Sequence, residues 1–562
     1  MSLLRSLSGI VLLTALGVFG CGELDEEAEP PAERVGAARQ AVVQLGDEVR
    51  ASLPGLPAHS TSAGWIRSAE LSNGHALLGS TQDGVAIWSY AADWTTSAPT
   101  YEVHRSDEPA PFGWPEPDNF CAVYACGGGE TWKAYNSVEQ VVWTGLDDVA
   151  AVVAIGAPNV GLNLTDLTVV TSTNGGQTFE HATVLSLPAP EGDSGGRIVP
   201  GSVHASLRYS RDRAGADAGL TSLPIYVVWQ NELEGRTWWM TRFVVGVDGL
   251  ATQLSLPVKV SVIPPSSASH ASILGHDDGA AGEVVRLFWS LRTDGGGNPA
   301  FGPDCPSNET IQVQWLSSWT SDFGQSWGCT PPSPGGFCQD QTWMIDEDPT
   351  WRPCVGASFS ESPEAPPYGV NNDRPEIAMN ENGDPVWYMA VNKTKGPDTV
   401  TRVVVWMSLF GSAWQVAYES PATDLNDKEV GDAWAQSLAI QQGARLEWVP
   451  PVWQSAVLGL IWRTADQDGL ITMNAASSAD GFGLPGFWQP SLLAVGQGVP
   501  WSMTDEMGIY TGIAPLELCV NEPCPGGAPA KFPRNPFLAA WIDNRSPGAV
   551  SEVWATAFIH EE

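Results

Sequence analysis

Cysteine, carboxylate and tryptophan are the residue types in this chain whose numbers and spacing could do chemistry. Eight cysteines, Cys121, Cys126, Cys305, Cys329, Cys338, Cys354, Cys519 and Cys524, lie beyond residue 40, and thiols of this kind either ligate a metal or pair as disulfides. A zinc site asks for cysteine and histidine at short ligand spacings, and the chain has no C-x2-C or H-x3-H arrangement. An even count favours disulfides. Cys121 with Cys126 and Cys519 with Cys524 would each close a short loop, and Cys305–Cys329 with Cys338–Cys354 is the simplest of three pairings of the middle four. The 64 acidic residues include enough carboxylates for two-carboxylate glycoside cleavage, but nothing in the sequence singles out a pair. Among the 26 tryptophans, at least five close apolar runs and read as core; Trp114, Trp132, Trp343 and Trp351 are the exposed-loop candidates for stacking on a ligand. No Ser-His-Asp arrangement stands out, Asp193-Ser194-Gly195-Gly196 resembles a serine-protease string only superficially, and no Walker loop or dinucleotide fingerprint is present, so phosphoryl and hydride chemistry are unsupported.

The segment that precedes these residues reads as an export device. Arg5, the apolar run Ile10–Phe19 and Gly20-Cys21 have the layout of a secretory signal. Val18-Phe19-Gly20-Cys21 resembles the lipobox of bacterial lipoproteins, which implies lipidation at Cys21; simple secretion is the alternative. Residues 22–40, acidic and carrying Pro30 and Pro31, are too poor in apolar side chains to build a core and read as a tether. Residues 41–562 are then the folded domain, and no later run approaches the ~20 apolar residues of a membrane-spanning helix.

About 520 residues exceed what one ordinary core serves, so a repeat is expected. With 59 glycines and 44 prolines punctuating short β-branched and aromatic runs, the chain reads as all-β. Apolar runs ending in or near tryptophan recur at Trp229, Trp289, Trp387, Trp462 and Trp541, at intervals of 60 to 98 residues. Each is flanked by one short strand before and one after. Counting these triplets predicts a single β-propeller of seven four-stranded blades, near 65–104, 137–187, 203–262, 270–335, 374–420, 443–493 and 509–560; irregular second and fourth blades leave six or eight open. The last blade lacks a fourth strand after Phe558, while Ala41–Leu45 is a free strand at the other end. Their pairing would close the ring and remove its exposed edges.

Third strands lead into a recurring turn. Ser172-Thr-Asn174-Gly-Gly176-Gln-Thr178-Phe179 and Thr320-Ser-Asp322-Phe-Gly324-Gln-Ser326-Trp327 fit S/T-x-D/N-x-G-x-S/T-W/F, which resembles the Asp box, or BNR repeat, of sialidase-like propellers. A short Asp or Asn side chain can accept backbone N–H bonds of its own turn, glycine permits a positive φ and the aromatic packs beneath the blade. The resemblance implies a scaffolding role at the rim, with structural calcium as the alternative; no other cofactor is expected. Tyr510 and the pair Asp543 and Arg545, with Asp373 and Arg374 of an earlier blade, resemble strand ends of bacterial Asp-box proteins that face the central funnel. Working sialidases surround a substrate carboxylate with three arginines, and planar guanidinium forks suit that task. Arg374, Arg463 and Arg545 are the candidates here, but the family's Arg-Ile-Pro is missing. Arg197-Ile-Val-Pro200 carries an inserted residue, and seven blades depart from the six of sialidases.

A net charge of −37 argues against nucleic acid, whose phosphates require Lys and Arg, and against anionic lipid. The sequence therefore predicts an exported, monomeric envelope or secreted propeller that binds a glycan or a surface protein in its funnel and meets membrane only through its N-terminal lipid. The alternative is a glycoside hydrolase.

Overall fold

Strands whose two faces are both covered need apolar side chains on both, and the second strands of this chain have them. Ala150–Ile155 and Ile225–Trp229 are buried without alternation, whereas the outer strand His181–Val184 alternates between half-buried and buried positions, the pattern of an element with one face to solvent. The computed structural model describes residues 42–44, 47–71, 74–92, 94, 99–124, 131–159, 164–185, 197–207, 222–233, 235–263, 268–277, 283–293, 310–327, 343–344, 350–353, 374–379, 385–393, 402–409, 413–422, 433–444, 455–465, 471–478, 489–495, 511–515, 536–543 and 551–560. Residues 1–41, with Cys21 and the whole tether, lie outside them.

The strands form seven antiparallel sheets, each built on four consecutive neighbours, and together they make a seven-bladed β-propeller. Blade 1 is Ala58–Ile66, His75–Gln82, Val85–Ala91 and Glu102–Arg105; blade 2 is Thr131–Trp143, Ala150–Asn159, Asp166–Ser172 and His181–Val184. Blade 3 is His204–Leu207, Ile225–Asn231, Thr237–Val245 and Ala251–Gln253; blade 4 is Ala268–Asp277, Glu283–Thr293, Thr310–Thr320 and Trp343–Met344. Blade 5 is Arg374–Met379, Pro385–Lys393, Arg402–Leu409 and Ala413–Glu419; blade 6 is Ala433–Ala444, Ser455–Ala465, Ile471–Ser478 and Gln489–Val495. Blade 7 takes Gly512–Pro515, Pro536–Asp543 and Glu552–His560 from the C-terminal end and Val42–Gln44 from the N-terminal one. Val42 pairs with His560 and Gln44 with Phe558, so the free N-terminal strand closes the ring as the sequence predicts.

Seven hydrophobic clusters hold the ring, one at each junction between neighbouring blades. The cluster that joins blade 7 to blade 1 packs Trp65 and Leu78 against Leu538 and Ile542. The five strand-closing tryptophans, Trp229, Trp289, Trp387, Trp462 and Trp541, are all at most 2% exposed, as core residues should be. Trp114 departs from expectation. It is only 7% exposed because the segment between blades 1 and 2 folds back and sets its ring against Tyr135 and Phe179. Trp132 belongs to the first strand of blade 2 rather than to a loop and packs against Phe120 and Tyr135. Trp343 and Trp351 likewise fall in short strands. Blade 6 begins ten residues earlier than the sequence suggests, at Ala433.

Candidate functional site

In every blade the first strand starts, and the second strand ends, at the same end of the ring, since neighbouring strands are antiparallel. That end collects three of the residues singled out in the sequence. Arg374 opens the first strand of blade 5, Arg463 lies near the end of the second strand of blade 6, and Asp543 closes the second strand of blade 7. Arg463 is 3% exposed, and its Nη2 donates to the Ile542 carbonyl at 2.6 Å. Burial draws its pKa down to about 10, and the negative charge of Asp543 works against that fall, so the side chain stays cationic at neutral pH. Arg463 therefore ties blade 6 to blade 7 and is absent from the channel wall. Asp543 faces Glu552 across the strands, and Glu552 in turn accepts from Arg50 at 3.1 Å. Arg197 is paired with Glu232 at 3.0 Å. Asp373, Tyr510 and Arg545 lie outside the described residues.

The first strands of all seven blades converge on one central channel, a cavity of about 160 Å³. An innermost strand has an edge without a ladder partner, and its backbone groups still require hydrogen bonds. Side chains of neighbouring blades supply them. Ser62 Oγ accepts from Val141 N at 3.0 Å, Gln140 Oε1 accepts from Ala205 N at 3.3 Å, and His204 Nδ1 accepts from Ile273 N at 3.1 Å. Ser206 Oγ donates to Ile273 O at 2.6 Å and Ser437 Oγ to Thr511 O at 3.1 Å. The His204 bond requires an unprotonated Nδ1, so the neutral ring carries its proton on Nε2. Among the described wall residues Gln140, His204, Ser206 and Glu376 are the polar side chains, and the others are apolar residues, proline and glycine. None of the four is marked by a sequence motif. Their one signal is that each stands in the first strand of a triplet.

Two further carboxylates are perturbed. Glu139 is extruded at a register shift between Val138 and Gln140; burial pushes its pKa up to about 7 against bonds from Ser137 and from Gly201 N. Asp166, 1% exposed, accepts from the Tyr124 hydroxyl, and burial raises its pKa to about 7. Both are spent on scaffold bonds. Cys121, on the short helix Phe120–Tyr124, is disulfide-bonded; Cys126 and the other six cysteines lie outside the described residues. Among the described residues no group of three His, Cys, Asp or Glu side chains is placed to hold a metal.

The two third-strand turns share one hydrogen-bond pattern. Ser172 Oγ accepts from Gly176 N at 2.9 Å and donates to Asn174 Oδ1, which also accepts from Thr178 N at 3.0 Å. Thr320 Oγ1 accepts from Gly324 N at 2.8 Å and donates to Asp322 Oδ1, which also accepts from Ser326 N at 2.8 Å. Gly176 and Gly324 have φ of +88° and +87°, and the closing aromatics Phe179 and Trp327 are buried. Each turn presses on the preceding blade. A Cβ on Gly176 would lie 2.9 Å from Leu77 Cδ1 of blade 1, and one on Gly324 would lie 2.6 Å from Met240 Cε of blade 3. These turns stand at the end of the ring opposite to Asp543 and serve as staples between blades.

The chain matches no protein-family model and no curated protein. Among solved structures it is similar to AofleA from Arthrobotrys oligospora, at 8% identity over 81% of this chain and 90% of that one, with a TM-score of 0.34. It is similar to an ulvan lyase of polysaccharide lyase family PL25 bound to GlcA(1-4)Rha3S, at 10% identity over 90% and 95%, TM-score 0.39. It is also similar to the α-L-arabinofuranosidase Arb93A from Fusarium graminearum, at 10% identity over 90% and 98%, TM-score 0.34.

Proposed function

We propose that this protein is an exported Asp-box propeller that binds a glycan or a surface protein in its central channel and has no catalytic set of its own. What supports it is the channel: first strands from all seven blades wall one cavity, with Gln140, His204, Ser206 and Glu376 as the polar side chains among its described wall residues. Two-carboxylate hydrolysis needs a second carboxylate facing the first, and among the described wall residues Glu376 is the single one. Sialidase chemistry needs a cationic fork around a carboxylate, and Arg463 is engaged by a backbone carbonyl instead. Lipidation at Cys21 and an acidic tether would hold the propeller at the bacterial envelope, with disulfides bracing its long loops. Binding of the purified chain to a glycan array, alongside a screen for release of fluorophore from sialosides, tests this reading. Array binding without release supports it, and turnover would replace it.

A glycoside hydrolase is the second reading. Arg374 and the Arg463–Asp543 pair share the end of the ring where second strands finish, and that clustering of charge is what favours it.

A further inference from the structure

We propose that Asn174 is a modification site guarded by the fold: when the staple between blades 1 and 2 opens, Asn174 deamidates at its bond to Gly175, and the carboxylate left at position 174 weakens the staple. The two third-strand turns differ at one acceptor. Position 174 carries an amide where position 322 carries an acid, although Oδ1 accepts a backbone N–H in both. Blade 2 has a reason for the amide. Asn174 Nδ2 donates to Thr178 Oγ1 at 2.7 Å, and the amide cannot be turned over, because Thr178 N and Ser172 Oγ both donate to Oδ1. A hydroxyl has one proton to give. That of Thr178 goes to Glu180 Oε1, while the other carboxylate oxygen accepts from Thr173 N at 3.0 Å. An acid at 174 would compete with Glu180 for this proton, and one of the two carboxylates would go without. In blade 4 the place of Glu180 is taken by Gly328, so the Ser326 hydroxyl donates to Asp322 Oδ2 without a rival.

The same turn makes the amide labile once it is released. Deamidation joins the asparagine Cγ to the nitrogen of the next residue and expels ammonia, which carries off that nitrogen's proton. Water then opens the cyclic imide to aspartate or isoaspartate. A glycine next in sequence hinders the attack least, having no Cβ. Gly175 is fixed by the fold, since its φ is +74° and an added Cβ would lie 2.3 Å from His75 Cδ2 of blade 1. In the closed turn its nitrogen is withheld. Gly175 N donates to Asp148 O at 2.7 Å, and Asp148 N donates to Arg67 O, one residue beyond the first strand of blade 1. Attack therefore waits until contacts between the two blades break.

Incubation of the full chain at mildly alkaline pH, folded and in urea, followed by peptide mapping for aspartate and isoaspartate at position 174, tests the guard. Conversion should be more than about tenfold slower in the folded chain, because a group freed only by local opening reacts in proportion to the open fraction. Equal rates, or no conversion in urea, overturn the site. Melting curves at neutral pH of Asn174→Asp, Glu180→Gln and the double variant test the competition. Asn174→Asp should melt below the parent. Its effect should shrink when Glu180→Gln is also present, because the new amide donates to Thr178 Oγ1 and returns the hydroxyl proton to position 174. An Asn174→Asp chain that melts like the parent, or loses as much with Glu180→Gln as without it, overturns the competition. Should Asn174→Asp not fold alone, folding restored by Glu180→Gln is the expected result, and failure in both backgrounds overturns it.

Discussion

Ser326 holds the Asp322 carboxylate twice, its amide donating to Oδ1 at 2.8 Å and its hydroxyl to Oδ2 at 2.5 Å. Burial works to raise the Asp322 pKa, but the bonds from Ser326 and Thr320 outweigh it and hold the carboxyl below its usual value of 3.8. Its contribution to stability is therefore complete above pH 3.8 and lost as pH falls through the lower folded value. Asp322→Ala should lower the melting temperature. Ser326 is exposed, so water can replace the lost acceptor, and about 0.5–1.5 kcal/mol per bond is the expected scale. Thermal melts at pH 7 check it.

The glycine of the same turn separates backbone strain from packing. Gly84, in the Asp83-Gly84 hairpin, has φ +71° and nothing within 4 Å of an added Cβ, whereas at Gly324, φ +87°, that Cβ meets Met240. Both alanine variants bear the left-handed penalty of about 1–2 kcal/mol. Gly324→Ala should lose about 1–3 kcal/mol more, from crowding the preceding blade. Equal midpoints in urea for the two variants would show that the turn does not staple blade 4 to blade 3.

The sequence made the ring legible because its signals are local: tryptophans close second strands, turns repeat after third strands, and Ala41–Leu45 stands as a strand without a neighbour. The inner wall was not legible in the same way. Gln140 sits in a strand with three register shifts, so counting by twos cannot say which side chain faces the channel, and nothing distinguishes Glu376 among 64 acidic residues. Trp114 misleads for a related reason. Its Pro- and Gly-rich surroundings look like an exposed loop, and its burial depends on Tyr135 and Phe179, 21 and 65 residues away. Arg463 reads from the sequence as a funnel residue, but its guanidinium is held by the Ile542 carbonyl of another blade, a contact that no local signal shows.

Glu139 should give stability an unusual pH trend. Its folded pKa of about 7 stands above the ordinary 4.5, so its contribution is full below pH 4.5 and declines as pH rises through about 7. Glu139→Gln, which keeps an acceptor for Gly201 N, should flatten the curve of unfolding midpoint against pH in that window. A variant whose curve parallels the parent's would exclude the buried carboxyl as the cause.

Closure by the N-terminal strand predicts that removing residues through Gln44 exposes the edge of Glu552–His560. The shortened chain should melt at lower temperature and associate at high concentration, measured by calorimetry and light scattering. In the intact chain, Cys21→Ala should shift the protein from membranes to the soluble fraction, and peptide mapping without reduction should link Cys121 to Cys126.

The central claim, that ligand binding belongs to the channel and the stapling turns belong to the scaffold, is tested most directly by one paired titration. The strongest-binding array glycan is titrated calorimetrically into Asp322→Ala and Glu376→Gln, with melting temperatures recorded for both. Asp322→Ala should show a lower melting temperature with unchanged affinity, and Glu376→Gln weakened affinity with near-parent melting. Normal melting with lost binding in Asp322→Ala, beside undiminished binding in Glu376→Gln, would contradict it.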